Sequence, residues 1–574
     1  MNNNKSMTVT GWRLKLVWAC LLLALAAVLW KLLTLYLVDR DFLQGQGDAR
    51  TIRTEPLLAH RGMITDRNGE PLAVSTPVKS IWVNPRELSR NREHMVQLAE
   101  TLDLDLVSFI NSVENNASRE FMYVRRRMPP VEADRVLAMS LDGVYARLEY
   151  QRYYPQGEVA AHLIGFSNID DVGQEGLELA FDDWLRGVPG RQQVIKDRRG
   201  RIIRELNTIE PAQPGRQLTL SIDFRLQNLA YRELKAEVVH RHARSASAVV
   251  LDVETGEVLA MVNQPSFNPH NRGAMSDFSA LRNRAMTDLF EPGSTIKTFT
   301  TIAALESGLF TPDTMVNTSP GRMRIGRYFV DDRGNDYGTL TLEQVLVKSS
   351  NVGTTRVALE LGPQPLRDVL QRFGFGESAA TGFPGEQTGV LPNHRVWHDI
   401  ETATLSFGYG LSTSTLQLAQ AYAAIASGGI RRPVSLLKGG GGVVGSSDER
   451  RVISEEVAEQ TMSMLAAVTD VERGGFGAAS VPFYSVAGKT GTARVVGARG
   501  YEANLHNAMF AGYAPADDPK VVIVVIINEP RGREHYGSQV AAPVFARIAA
   551  GVMRVLDVPP DRADPSRYLQ LSYR

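Results

Sequence analysis

Ser294 and Lys297 stand three residues apart in Phe290-Glu291-Pro292-Gly293-Ser294-Thr295-Ile296-Lys297. A Pro-Gly turn there opens a helical pattern that runs to Glu306 and stops near Ser307-Gly308. Three residues is close to one helical turn, so the hydroxyl and the amine share a face. The unpaired amide N–H groups of the first turn point the same way. A neutral amine beside a hydroxyl can take its proton, and a helix N-terminus can stabilise a developing oxyanion. That is serine acyl-transfer chemistry. Alone the pair is weak, because an N-cap serine followed by a solvated lysine spells the same pattern.

Two later stretches offer partners. Ser349 and Asn351 lie two residues apart, and residues i and i+2 of a regular helix do not share a face. They converge only if the chain turns between a helix ending near Lys348 and another starting at Val352; an ordinary helix–helix junction reads the same way. Gly488-Lys489-Thr490-Gly491-Thr492 contains the Gly-Lys-Thr of a phosphate loop, but residue 483 is Phe where that loop needs glycine. Ala493-Arg494-Val495-Val496 continues as strand rather than helix, which excludes the nucleotide reading. On a strand, glycine lets a substrate backbone approach the edge, and Lys489, Thr490 and Thr492 together can bind a carboxylate.

The elements that must position these residues form an α+β pattern. Phe224 to His240 reads as a helix, and strands Ala246–Asp252 and Glu257–Val262 are joined through Thr255-Gly256. Strand character returns at 484–495, 509–514 and 521–527, followed by a closing helix over about Val540 to Leu556. Two early strands, a helical middle and three late strands predict an antiparallel sheet covered by helices.

The chain has 574 residues and zero formal net charge, enough for two or three domains and with no broad pull toward nucleic acid. Its single cysteine, Cys20, excludes an intramolecular disulfide and a cysteine metal cluster, and the ten histidines form no ligand motif. No metal or cofactor is expected. From Leu16 to Val38 about 23 residues carry one charge, Lys31, enough to span a bilayer. No small-residue cleavage motif follows, so the segment reads as an uncleaved anchor rather than a signal peptide. Lys5, Arg13 and Lys15 precede it, which places the short N-terminus in the cytoplasm and the rest outside.

Residues 39–220 read as a mixed pedestal or interaction module. Short strands flank the Asn68-Gly69 turn, helices are expected over 91–115, 131–140 and 176–185, Val144 to Tyr154 is extended, and 192–203 forms a polar hairpin. Arg125-Arg126-Arg127 and Arg198-Arg199 lack alternating aromatics and read as solvated or docking faces, not a nucleic-acid surface. The boundaries are 1–15 tail, 16–38 span, 39–220 pedestal, 221–560 catalytic domain and 561–574 irregular tail.

Ser294-x-x-Lys297, Ser349-x-Asn351 and Lys489-Thr490-Gly491 together, in this order over about 195 residues, resemble the motif set of the penicillin-recognising serine acyltransferases. With the anchor, the His60-Arg61-Gly62 to Asn68-Gly69 stretch and the Glu291-Pro292-Gly293 lead-in, nearly the whole chain is similar to class B penicillin-binding proteins of the division (FtsI) type. The resemblance implies a penicillin-recognising transpeptidase fold. It also implies D,D-transpeptidation of peptidoglycan stem peptides through a serine acyl-enzyme, with release of D-alanine.

Site roles follow from the resemblance. Ser294 is the nucleophile and Lys297 its base; Ser349 relays a proton toward the leaving amine. Asn351 orients Lys297 and the substrate amide, and Lys489 supplies positive potential. Thr490, Gly491 and Thr492 form the carboxylate-recognising strand, and the Ser294 and Thr492 N–H groups form the oxyanion hole. Tyr409-Gly410 is similar to the segment lining the far side of the cleft, although structural packing explains it as well. The run 438–442 reads as a flexible loop. The implied partners are the peptidoglycan precursor, β-lactams, the membrane and an FtsW-type glycosyltransferase with other division proteins. Transfer of the acyl group to water, as in a carboxypeptidase or a β-lactam sensor, uses the same three motifs. A non-enzymatic scaffold would need none of them.

Overall fold

A 27-residue helix, Gly11–Leu37, buries none of its residues. At about 1.5 Å per residue it is about 40 Å long, sufficient to cross a hydrocarbon core of roughly 30 Å. Lys31 reaches along it toward Asp39 at 3.9 Å, keeping its charge out of the apolar middle. This computed structural model describes residues 11–43, 45, 52–196, 202–274, 277–440, 449–497 and 500–562.

Contacts divide the chain into two compact units that do not follow chain order. One comprises the N-terminal part to residue 60 with 79–149 and 187–214; the other comprises 61–78, 150–186 and everything from 215. In the first unit, Ile52–Leu57, Gly190–Lys196 and Ile202–Glu210 form a three-stranded antiparallel sheet. The tip of that expected hairpin, with Arg198 and Arg199, lies outside the described residues. The helical spacing over 91–115 resolves into two helices, Arg92–Thr101 and Leu106–Asn115, because Asn91 and Asp105 each cap a fresh start. Both pack Met95, Leu98, Phe109 and Val113 against Ile81 and Val83. Arg126 lies 4.6 Å over Tyr123 and pairs with Glu149 at 3.3 Å.

The second unit is organised on a five-stranded antiparallel sheet. Its order is Val258–Gln264, Ser245–Asp252, Val521–Asn528, Gly500–Ala514 and Ala487–Gly497. Val521–Ile527 is buried at every residue, which is why it reads as an unbroken Val/Ile run rather than an alternating one. Helices Phe224–Arg241 and Gly537–Val555 cover one face through Leu226, Leu234, Val540 and Phe545. Helices Lys297–Glu306, Thr415–Ala426 and Glu455–Thr469 cover the other. At the hairpin, Gly256 adopts φ +73° and the Asp252 carboxylate accepts the N–H groups of Glu254 and Thr255.

Two local expectations need correction. The single helix expected over 176–185 is two short ones, Gly176–Ala180 and Asp182–Leu185. Their surroundings hold a buried ionic knot: Glu178 accepts from Arg61 and Arg152 at 2.6 Å each, and Arg61 also meets Asp182 at 2.7 Å. Lys438–Gly440 is a short 3₁₀ turn rather than loose loop. Its Lys438 Nζ donates to the Arg67 carbonyl at 2.9 Å and Gly439 N to Glu257 at 2.7 Å; residues 441–448 lie outside the described residues. Asp561 is anchored past Pro559, its carboxylate accepting the Ser485 N–H at 2.8 Å and the Ser485 hydroxyl. Residues 563–574 lie outside the described residues.

Candidate active site

Ser294 lies in a 3₁₀ turn, Gly293–Ile296, that runs directly into the helix Lys297–Glu306. Residues three apart eclipse one another in a 3₁₀ turn, so the Ser294–Lys297 spacing aligns them. The helix is buried from Lys297 to Leu305. Its three threonines would be costly there without partners, and two find them directly. Thr298 Oγ1 meets the Tyr422 hydroxyl at 3.0 Å, and Thr300 donates to the Ser406 carbonyl at 2.7 Å. Phe299 is edge-on to Phe373, Phe375 and Tyr422. The Ser294 turn therefore stands on a fixed core helix.

Ser349 and Asn351 converge as a turn requires. Ser349 caps the helix Leu342–Lys348 in the left-handed conformation, φ 56° and ψ 41°, and Ser350 is the N-cap of the next helix, Asn351–Leu361. The Lys297 amine, 1% exposed, donates to the Ser349 carbonyl at 2.6 Å, Asn351 Oδ1 at 2.7 Å and Ser349 Oγ at 3.3 Å. Lys489, also 1% exposed, reaches the same Ser349 hydroxyl at 3.0 Å. One serine hydroxyl thus bridges two buried amines. The Ser294 side chain is half-buried and makes no hydrogen bond to a described residue.

Lys489 lies on Ala487–Gly497, an edge strand of the central sheet, which leaves its outer backbone groups open to an extended ligand. Thr490, Thr492 and Arg494 alternate onto the more exposed face. Gly491 is required by its neighbours: a Cβ there would lie 2.5 Å from Met509 Cγ and 2.9 Å from the Pro292 carbonyl oxygen. That contact seats the strand against the Pro292-Gly293-Ser294 turn. Thr492 Oγ1 accepts the Gly537 N–H at 3.0 Å, leaving its hydrogen free to donate.

Burial holds the Lys297 amine well below the usual lysine range, the Lys489 charge pushes it further, and Asp332 opposes both. Lys489 is pressed down to about 7 by burial and then by Arg333.

Asp332 is a residue that sequence reasoning missed. Its Oδ1 accepts the Asn351 N–H at 2.5 Å and the Val352 N–H at 3.0 Å, and its Oδ2 accepts the Ser350 hydroxyl at 2.6 Å. The neighbouring Asp331 carbonyl takes Asn351 Nδ2 at 3.0 Å, which turns Asn351 Oδ1 toward Lys297. No periodicity links a loop carboxylate to a helix N-terminus almost twenty residues later. Asp332→Asn must set an amide N–H₂ against one of these donors. Melting should show a loss of about 1–2 kcal/mol, the size of a lost helix cap. Acylation by a fluorescent penicillin should slow about ten-fold in the protein that stays folded, about the effect of losing a charge-assisted hydrogen bond. Wild-type acylation in a destabilised variant would show that Asp332 serves stability alone.

Glu291 was missed as well. Its Oε1 accepts the Gly410 N–H at 2.8 Å and the Tyr501 hydroxyl at 3.0 Å, while its buried Oε2 has no hydrogen-bond partner among the described residues. Burial raises its carboxyl above the usual range, partly offset by those two donors. Glu291, Gly410, Arg494 and Asn507 line a cleft of about 400 Å³, and the Tyr409 ring packs edge-on against Tyr501. Of the Tyr409-Gly410 pair, Gly410 lines that cleft.

Comparison with known proteins agrees with this geometry. Residues 246–550 match the penicillin binding protein transpeptidase domain, and 56–220 the penicillin-binding protein dimerisation domain. The chain is 42% identical over 556 residues to the probable peptidoglycan D,D-transpeptidase PbpC of Pseudomonas aeruginosa, covering 97% of each. It is 43% identical to the peptidoglycan D,D-transpeptidase FtsI of Escherichia coli K12, covering 96% of this chain and 93% of that one. The crystal structure of penicillin binding protein 3 from Mycobacterium tuberculosis complexed with aztreonam superposes with a TM-score of 0.68 at 29% identity, covering 89% of this chain and 99% of that one. A buried pair of lysines meeting at one serine, beside an open strand edge, is thus set in a chain that belongs to the class B penicillin-binding proteins, the peptidoglycan D,D-transpeptidases of the FtsI type, which cross-link stem peptides through a serine acyl-enzyme with release of D-alanine.

Proposed function

We propose the following division of labour. Ser294 attacks the carbonyl between the two terminal D-alanines of a donor stem; neutral Lys297 takes its proton. The tetrahedral oxygen is held by the Ser294 and Thr492 N–H groups. Ser349, sharing its hydroxyl with Lys297 and Lys489, passes a proton to the departing D-alanine amine. Asn351 fixes Lys297 and the donor amide, while Lys489, Thr490 and Thr492 hold the terminal carboxylate. The acyl group then passes to an amine of a neighbouring stem, closing the cross-link. The observation that carries this reading is the cluster in which both lysines donate to Ser349. A proton can travel through that cluster without crossing water.

The polymer comes from elsewhere. Residues 39–220 serve as pedestal and 221–560 as the catalytic domain, and neither is assigned to glycan polymerisation, so a polytopic FtsW-type glycosyltransferase supplies the strand in septal wall synthesis. Arg13 and Lys15 before the apolar helix favour a cytoplasmic N-terminus, with the catalytic domain on the periplasmic side. β-Lactams, which carry a strained acyl donor beside a carboxylate, acylate the same serine.

The test is reconstitution of the full-length protein with such a polymerase and lipid-linked precursor, followed by muropeptide analysis. Cross-linked dimers are expected with D-alanine released in equal amount. D-alanine release without dimers would instead make the chain a carboxypeptidase.

A further inference from the structure

One cation whose field reaches Lys297 and Lys489 has no part in that division of labour. Arg333 follows the Asp331-Asp332 pair that holds the Ser349–Asn351 turn, and its own N–H donates to Asp331 Oδ1 at 2.9 Å. Its backbone stands at φ +56°, a left-handed conformation unfavourable for a residue with a Cβ. Among the described residues its guanidinium has no carboxylate partner and no hydrogen bond. It lies instead over the Tyr536 ring, 4.8 Å from the centroid. Tyr536 packs on His535 at 4.4 Å, and His535 stacks on His506 at 4.3 Å. Gly537, next to Tyr536, is the residue whose N–H reaches Thr492 Oγ1. Arg333 therefore ends a column of rings beside the carboxylate-binding strand.

The Asp332 carboxylate is turned toward Ser350, Asn351 and Val352 and the Asp331 carboxylate accepts the Arg333 backbone N–H, while the exposed Arg333 guanidinium casts its field on both lysines. Buried Lys489 is a weak cation near neutral pH, whereas a guanidinium stays charged. An anion entering there meets a permanent positive charge at the rim.

We propose that Arg333 is a positioning residue that steers the terminal carboxylate of the donor stem onto Lys489, Thr490 and Thr492. This rests on the assignment of that strand as the carboxylate site. The experiment uses the full-length protein in detergent with two acyl donors, a peptide thioester ending in a free carboxylate and its methyl ester. Wild type should prefer the free acid. Arg333→Gln should lower kcat/KM for the acid about ten-fold, mainly through KM, with the ester changed less than about two-fold. Arg333→Lys should recover most of the loss, Arg333→Glu should deepen it, and the salt dependence of acid acylation should flatten in Arg333→Gln. Arg333→Gln with the full wild-type preference, or with equal losses for both donors, would overturn the proposal and leave the carboxylate site standing. A wild type indifferent to esterification would overturn the carboxylate site itself, and this proposal with it.

Discussion

Ser294→Ala is expected to abolish the covalent adduct that the full-length protein forms with a labelled β-lactam, read as intact mass. The wild-type chain should carry one adduct that persists; the variant should carry none. Turnover of a donor peptide should fall by at least about 10⁴-fold, the scale on which other enzymes lose activity with their nucleophile. Folding should survive, because the Ser294 side chain is half-buried and makes no hydrogen bond to a described residue. A wild-type adduct in Ser294→Ala would place the nucleophile elsewhere. No adduct in folded wild-type protein would remove the serine acyltransferase mechanism altogether.

Removal of the Lys297 amine should come next in size. Lys297→Met deletes the proton acceptor and three hydrogen bonds to Ser349 and Asn351, and should slow acylation by about 10²–10⁴-fold. The wild-type pH profile carries a sharper signature. The base works only when neutral, so acylation should fall as pH drops through the Lys297 pKa, which burial and Lys489 hold well below the usual lysine value. Lys489 works only when charged, so binding of an anionic donor should weaken as pH rises through about 7. The result is a bell in kcat/KM whose basic limb is missing for an esterified donor. Because the two amines repel, Lys489→Gln should raise the Lys297 pKa and move the acid limb upward. Stopped-flow acylation from pH 5 to 10 decides the matter. A flat profile, or an acid limb unmoved in Lys489→Gln, would exclude Lys297 as the titrating base.

Much of this protein was readable along the chain because its signals are local. The apolar run from Leu16 to Val38, the Thr255-Gly256 hairpin and the Val/Ile strand at 521–527 each report on their own few residues. So does the three-residue spacing of Ser294 and Lys297, since the face shared by i and i+3 is a property of any helical turn. Even the break between Lys348 and Asn351 could be stated as a condition: the two side chains meet only if the chain turns there.

What tertiary structure decided was everything that depends on residues far apart meeting. Whether Ser349 closes on Lys297 is settled by Asp332, whose carboxylate replaces the missing intrahelical partners of Asn351 and Val352. Whether the Lys489 strand reaches the Ser294 turn is settled by Gly491 packing on Met509 and Pro292. The depressed lysines come from burial, which no single stretch of sequence contains. Likewise, Arg333 looks like one charge in a polar loop until the fold sets its guanidinium over Tyr536. Periodicity and spacing are written in neighbouring residues; electrostatics and convergence arise only when the core has closed around them.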